Sequence, residues 1–116
     1  MILCAIDDLL FSIKISTAAR QLGVDVYFER KPEGLIPRIR EKRPSLVIFD
    51  LNSARLHPLD AIERIKADPE LREVRTLGYV SHVDSATIAA ARTAGVDQVL
   101  ARSAFVDRLG EILTNE

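Results

Sequence analysis

One cysteine, Cys4, is all the chain has. A single thiol excludes an internal disulfide, which suits a reducing compartment. Neither sign of charge is in excess: 16 Lys and Arg stand against 17 Asp and Glu, a formal net charge of −1. That balance argues against a general nucleic-acid binder, which carries a basic surplus. No apolar run approaches the roughly 20 residues needed to cross a bilayer. The N-terminus meets Asp7 and Asp8 almost at once, too short and too acidic a start for a signal peptide. The expectation is a soluble, cytoplasmic protein. Its 116 residues suit one domain, 1–116, and a 47% hydrophobic composition can supply its core.

What is present is an alternation of two periodicities. Ile2 to Ile6 is a short apolar run that ends on Asp7 and Asp8. From Leu10 to Leu22 the spacing becomes helical, with Leu10, Ile13, Ala18 and Leu22 marking a face, and Gly23 is its stop. Val24 to Phe28 reads as a strand, and residues 31–34 are a breaker cluster. Leu35 to Lys42 is a short helix with Leu35 and Ile39 facing in. Leu46 to Phe49 is a continuous apolar run that stops on a carboxylate, Asp50. Such a run is the pattern of a strand buried on both faces.

After a polar loop over 52–58, a helix is predicted from about Leu59 to Ala67, with Ile62 and Ile65 on one side. Asp68-Pro69 breaks it. Val74 to Val80 is the fourth strand, weakened by Gly78. The loop 81–84 follows, and Asp84 or Ser85 is the N-cap of an Ala-rich helix over 87–93 that ends at Ala94-Gly95. Val96 to Ala101 is a fifth strand. Ala104 to Leu113 is the last helix, with Phe105, Leu109 and Leu113 four residues apart, and 114–116 is a frayed tail. Strands alternating with helices of this length imply βαβ units, right-handed crossovers and a parallel sheet.

In a parallel sheet every strand C-terminus lies on one rim, where ligands bind at the topological switch point. In the order 2-1-3-4-5, strands 1 and 3 are neighbours, so Asp7, Asp8 and Asp50 converge. Like charges raise one another's pKa unless a cation sits among them. Carboxylate oxygens suit Mg2+, which also keeps phosphate oxygens and waters. Strand-end aspartates otherwise cap turns, and for Asp8 alone that is the better reading. For three on one rim, a site is the better one.

On these residues the chain resembles the receiver domain of two-component response regulators. The resemblance rests on Asp7-Asp8, on Asp50, on Ala94-Gly95-Val96-Asp97 before the fifth strand, and on the five βα units. It implies a single (βα)5 flavodoxin-like three-layer sandwich with sheet order 2-1-3-4-5. It implies Asp50 as acceptor of a phosphoryl group from a histidine kinase or phosphotransfer protein. It further implies Asp7, Asp8, Asp50 and the carbonyl of Asn52 as ligands of Mg2+. Output would pass through contacts with a downstream protein, with no membrane and no direct nucleic-acid contact. The helix 4, strand 5 and helix 5 face would dock partners or pair two copies. No output domain is expected within the chain, and no glycine-rich phosphate loop supports a small-molecule binder.

The surroundings depart from the family. The Thr or Ser place ending strand 4 falls on Val80, with Ser81 one later. The Lys place after strand 5 is Arg102, followed by Ser103 rather than Pro. The aromatic switch position is Val99. Pro58 takes the usual Gly place in the loop after Asp50, so that loop must follow another path. Asp50, Arg102 and Ser81 are the expected catalytic set. A receiver that no longer switches on phosphate and works by protein binding is the alternative. His57 and His82 lie on loops of the same rim and read as exposed polarity. The basic stretch Arg30, Lys31, Arg38, Arg40, Lys42 and Arg43 is diluted by glutamates and reads as a solvated face. Cys4 reads as a small buried hydrophobe.

Overall fold

The computed structural model describes residues 1–82 and 84–114. The expected loop residue Val83 and the tail residues 115–116 lie outside them. Five parallel strands, β1 (Ile2–Ala5), β2 (Val26–Phe28), β3 (Leu46–Asp50), β4 (Arg75–Val80) and β5 (Gln98–Ala101), form one sheet in the order β2-β1-β3-β4-β5. The expected (βα)5 order is therefore the observed one. Among the described residues six α-helices cover it: α1 (Leu9–Leu22), α2 (Leu35–Lys42), α3 (Pro58–Ala67), α4 (Ser85–Ala94), α5 (Arg102–Asp107) and α6 (Leu109–Thr114).

The apolar run of β3 feeds two cores by strand alternation. Val47 and Phe49 join Leu35, Ile39, Ile62, Ile65 and Ala91 beneath α2, α3 and α4. Leu46 and Ile48 join Cys4, Phe11, Ile15, Tyr79, Phe105 and Leu113 beneath α1, α5 and α6. Phe11, Tyr79 and Phe105 form an aromatic trio with ring centroids 5.0 to 5.9 Å apart. Cys4 is fully buried, and burial pushes its thiol pKa up to about 12. It behaves as a small hydrophobe, as expected.

Several boundaries move, each for a local reason. Helix α1 starts at Leu9 because the Asp8 carboxylate caps it, accepting from the Phe11 N–H at 3.0 Å. The face marked by Leu10, Ile13 and Leu22 is the outer one. Leu10 is 82% and Ile13 61% exposed, while Phe11, Ile15 and Ala19 point inward. Both stripes have helical spacing, so spacing alone could not choose between them. Helix α3 begins on Pro58, whose fixed φ suits a first helical position. The left-handed residue that the loop needs is His57, one earlier, at φ 49°. Helix α4 starts at Ser85, capped by Asp84, and stops at Gly95 in the left-handed region, φ 106°. The last helix is two pieces, interrupted at Arg108, and Thr114 belongs to the second rather than to a frayed tail. Gly78 is less a weak point than a requirement: a Cβ there would lie 2.6 Å from Cδ1 of Leu51.

Candidate functional site

The rim at the strand C-termini gathers residues from four stretches of chain. β1 leads directly into Asp7 and Asp8, and β3 ends on Asp50. Asp50 Oδ1 accepts from the Asn52 N–H at 3.0 Å. That Asx turn starts the loop and leaves Oδ2 without a local donor in the turn. Burial raises the Asp50 pKa above the ordinary carboxylate value. The Asn52 N–H pulls it back, Asp7 and Asp8 push it up, and Arg102 lowers it.

The acidic pair is closely held. Asp7 Oδ1 accepts from the Ser53 hydroxyl at 3.1 Å and Oδ2 from Arg55 Nη1 at 3.4 Å. Asp8 Oδ1 is the α1 cap, and Oδ2 lies 3.6 Å from Arg102 Nη2. Arg102 is also stacked on an aromatic face, its guanidinium carbon 4.2 Å from the Phe11 ring centroid. It opens α5 rather than lying in a loop after β5, which fixes where its side chain leaves the sheet edge.

Asp7, Asp8, Asp50, Asn52 and Arg102 therefore share one rim. Ser81 contributes through its backbone: its N–H donates to Asn52 Oδ1 at 2.6 Å. Val80, which stands at the end of β4 where the family resemblance implies a hydroxyl, is 3% exposed and packs into the core under α2, α3 and α4. Both His57 and His82 are exposed. Sequence reasoning passed over Ser53 and Arg55. Both lie within five residues of Asp50, but only the 3-10 turn Ala54–Leu56 shows that they bend back onto Asp7.

For a divalent cation the donors are right in kind: three carboxylates and a carbonyl are hard oxygen ligands. Among the described residues no group of three or more His, Cys, Asp or Glu side chains is disposed to hold a metal ion. Each oxygen of the Asp7–Asp8 pair faces a protein donor that a cation would have to displace. No helix among the described residues is long and apolar enough to cross a membrane.

No protein-family profile matches the sequence, and no curated protein does. Solved structures do. The phosphorylated cyanobacterial phytochrome response regulator RcpA superposes with a TM-score of 0.82 at 20% identity, over 98% of this chain and 88% of that one. A response regulator from Hahella chejuensis gives 0.86 at 12% identity, over 97% and 91%. The response regulator Rcp1 in its Mn2+-bound form gives 0.82 at 15% identity, over 99% and 95%. With five parallel strands in the order β2-β1-β3-β4-β5 and helices between them, the chain has the fold of the response-regulator receiver domain.

Proposed function

We propose that the protein is a two-component signalling receiver in which Asp50 accepts a phosphoryl group. The observation that carries this is the place of Asp50: it ends the central strand β3, half-buried, with its pKa raised and one oxygen fixed by the Asn52 N–H. The other oxygen attacks phosphorus, the bond from phosphorus to the donor breaks, and the donor leaves with the electron pair. The donor is a phosphohistidine on a kinase or phosphotransfer protein. Arg102 supplies a guanidinium whose forked donors suit phosphate oxygens. Asn52, by holding the Ser81 N–H, ties the β4 end to the acceptor loop. Asp7, Asp8, Asp50 and the Asn52 carbonyl would hold Mg2+, which when bound supplies positive charge against the transferring oxygens. A Mn2+-bound neighbour of the same fold supports that cation class. Such signalling would run in the cytoplasm, with output through protein contacts on the face of α4, β5 and the following helix.

A second reading, a phosphate-independent interaction module, is favoured by one feature. The residue ending β4 is the core-packed Val80, so no hydroxyl at that position follows the phosphoryl group. One experiment separates the two. The protein is incubated with Mg2+ and acetyl phosphate or beryllofluoride, and mass and backbone amide shifts are followed, with Asp50→Asn as control. An adduct that needs Asp50 is the expected result. No adduct and no Asp50-dependent shift would remove the phosphoacceptor reading for these donors.

A further inference from the structure

The acidic pair carries its own counter-charges. Arg102 neutralises Asp8 and is anchored a second time on the Phe11 ring. Arg55 neutralises Asp7 with no such anchor. Its Nη1 donates both to Asp7 Oδ2 at 3.4 Å and to the Arg30 carbonyl at 2.8 Å. One nitrogen thus bridges the turn after β3, the end of β1 and the segment after β2. The side chain is 60% exposed. An ion pair that open is weak and screened, so either partner can leave it at small cost.

We propose that Arg55 is an exchangeable internal cation. It holds Asp7 until a divalent ion takes that carboxylate, and its departure frees the Arg30 carbonyl. The inference rests on the reading of Asp7 and Asp8 as cation ligands. Its physical basis is simple. A guanidinium and a divalent cation at contact distance from one carboxylate repel each other, so binding of one opposes binding of the other. The bridge to Arg30 then makes cation binding detectable outside the site, on the segment leading to α2.

The test uses the full chain. Mg2+ binding is measured by calorimetry, and Mn2+ binding by the loss of free-ion paramagnetic signal, for wild type, Arg55→Ala and Arg55→Lys. Arg55→Ala is expected to bind about three- to ten-fold more tightly, the scale of an exposed ion pair, and Arg55→Lys to stay near wild type. A Mg2+ titration followed by amide resonances gives the second readout. The Lys31 amide, in the same peptide group as the Arg30 carbonyl, is expected to shift in wild type. In Arg55→Ala it stays still while the Asp7, Asp8 and Asp50 amides move. Equal affinities, or a Lys31 shift that persists without Arg55, overturn the inference and leave the receiver reading intact. Absence of binding to both chains overturns it as well, and the Asp50 adduct experiment then judges the receiver reading separately.

Discussion

At Asp50 a carboxylate is kept where burial and two acidic neighbours oppose its charge. The opposing donors are the Asn52 N–H and the field of Arg102, and they do not fully offset it. A carboxyl whose pKa is higher folded than unfolded binds its proton more tightly in the native state. That contribution to stability is complete below the unfolded pKa and is lost as pH rises through the folded one. Asp50→Asn, which removes the charge, is therefore expected to raise Tm at neutral pH. The advantage should shrink steadily as the pH is lowered through the Asp50 transition. Calorimetric scans of the two proteins across acid to neutral pH check this. A Tm difference that does not change with pH would mean that Asp50 ionises as freely in the fold as in the unfolded chain. A group kept at such a cost to its charge is the kind that marks functional sites.

Elements are set mostly by their ends. Helices α1 and α4 begin on aspartate caps and stop on left-handed glycines, Gly23 and Gly95. Helix α2 has neither. It starts behind Gly34 with no side-chain cap, and it stops on Arg43, forced to φ 46°. A non-glycine residue there bears a steric penalty that glycine escapes, less the glycine's own loss of chain entropy. Arg43→Gly is expected to stabilise the protein by about 0.5–1 kcal/mol, read as a higher urea midpoint with an unchanged slope. The exposed guanidinium contributes little that would be missed. The loop after β3 solves the same problem differently. Pro58 cannot take a positive φ, so His57 does, and the 3-10 turn this produces carries Arg55 back to Asp7.

On the scale of the whole molecule, two devices lock the layers. Beneath the rim, Phe105 of α5 packs at 0% exposure against Tyr79 of β4 and Phe11 of α1. Phe105→Ala is expected to cost about 3–5 kcal/mol, since it removes a fully buried ring and leaves a cavity beside Tyr79 and Phe11. Equilibrium urea unfolding measures it, and a cost below 1 kcal/mol would mean that the α5 packing is dispensable. At the opposite end of the sheet Asp97 accepts from Lys66 Nζ and from the Thr76 N–H and hydroxyl, joining α3, β4 and β5. Desolvation pushes the Asp97 pKa upward, but these donors outweigh it and hold the carboxyl below its ordinary value. The Ala94-Gly95-Val96-Asp97 stretch is thus a structural joint, remote from the rim that carries Asp50.

The sequence by itself determined the alternation of strands and helices and the position of Asp50 at a strand end, while the sheet order came from the family resemblance. These follow from runs and stops: LVIF ending on Asp50, Leu35 and Ile39 at helical spacing, Phe105, Leu109 and Leu113 four apart. Local chemistry of that kind survives folding because each segment must bury its own apolar set. Only the tertiary structure decided which of two α1 stripes faces inward, because that depends on what lies opposite: Phe11 meets Tyr79 and Phe105, and Leu10 meets no core. It also decided the state of the acidic pair. Spacing brought Asp7 and Asp8 to the rim, but their partners Ser53, Arg55 and Arg102 come from 45 or more residues away along the chain or from the far strand. Charge pairing across such separations is fixed by loop path, and the loop path was turned by Pro58 and His57.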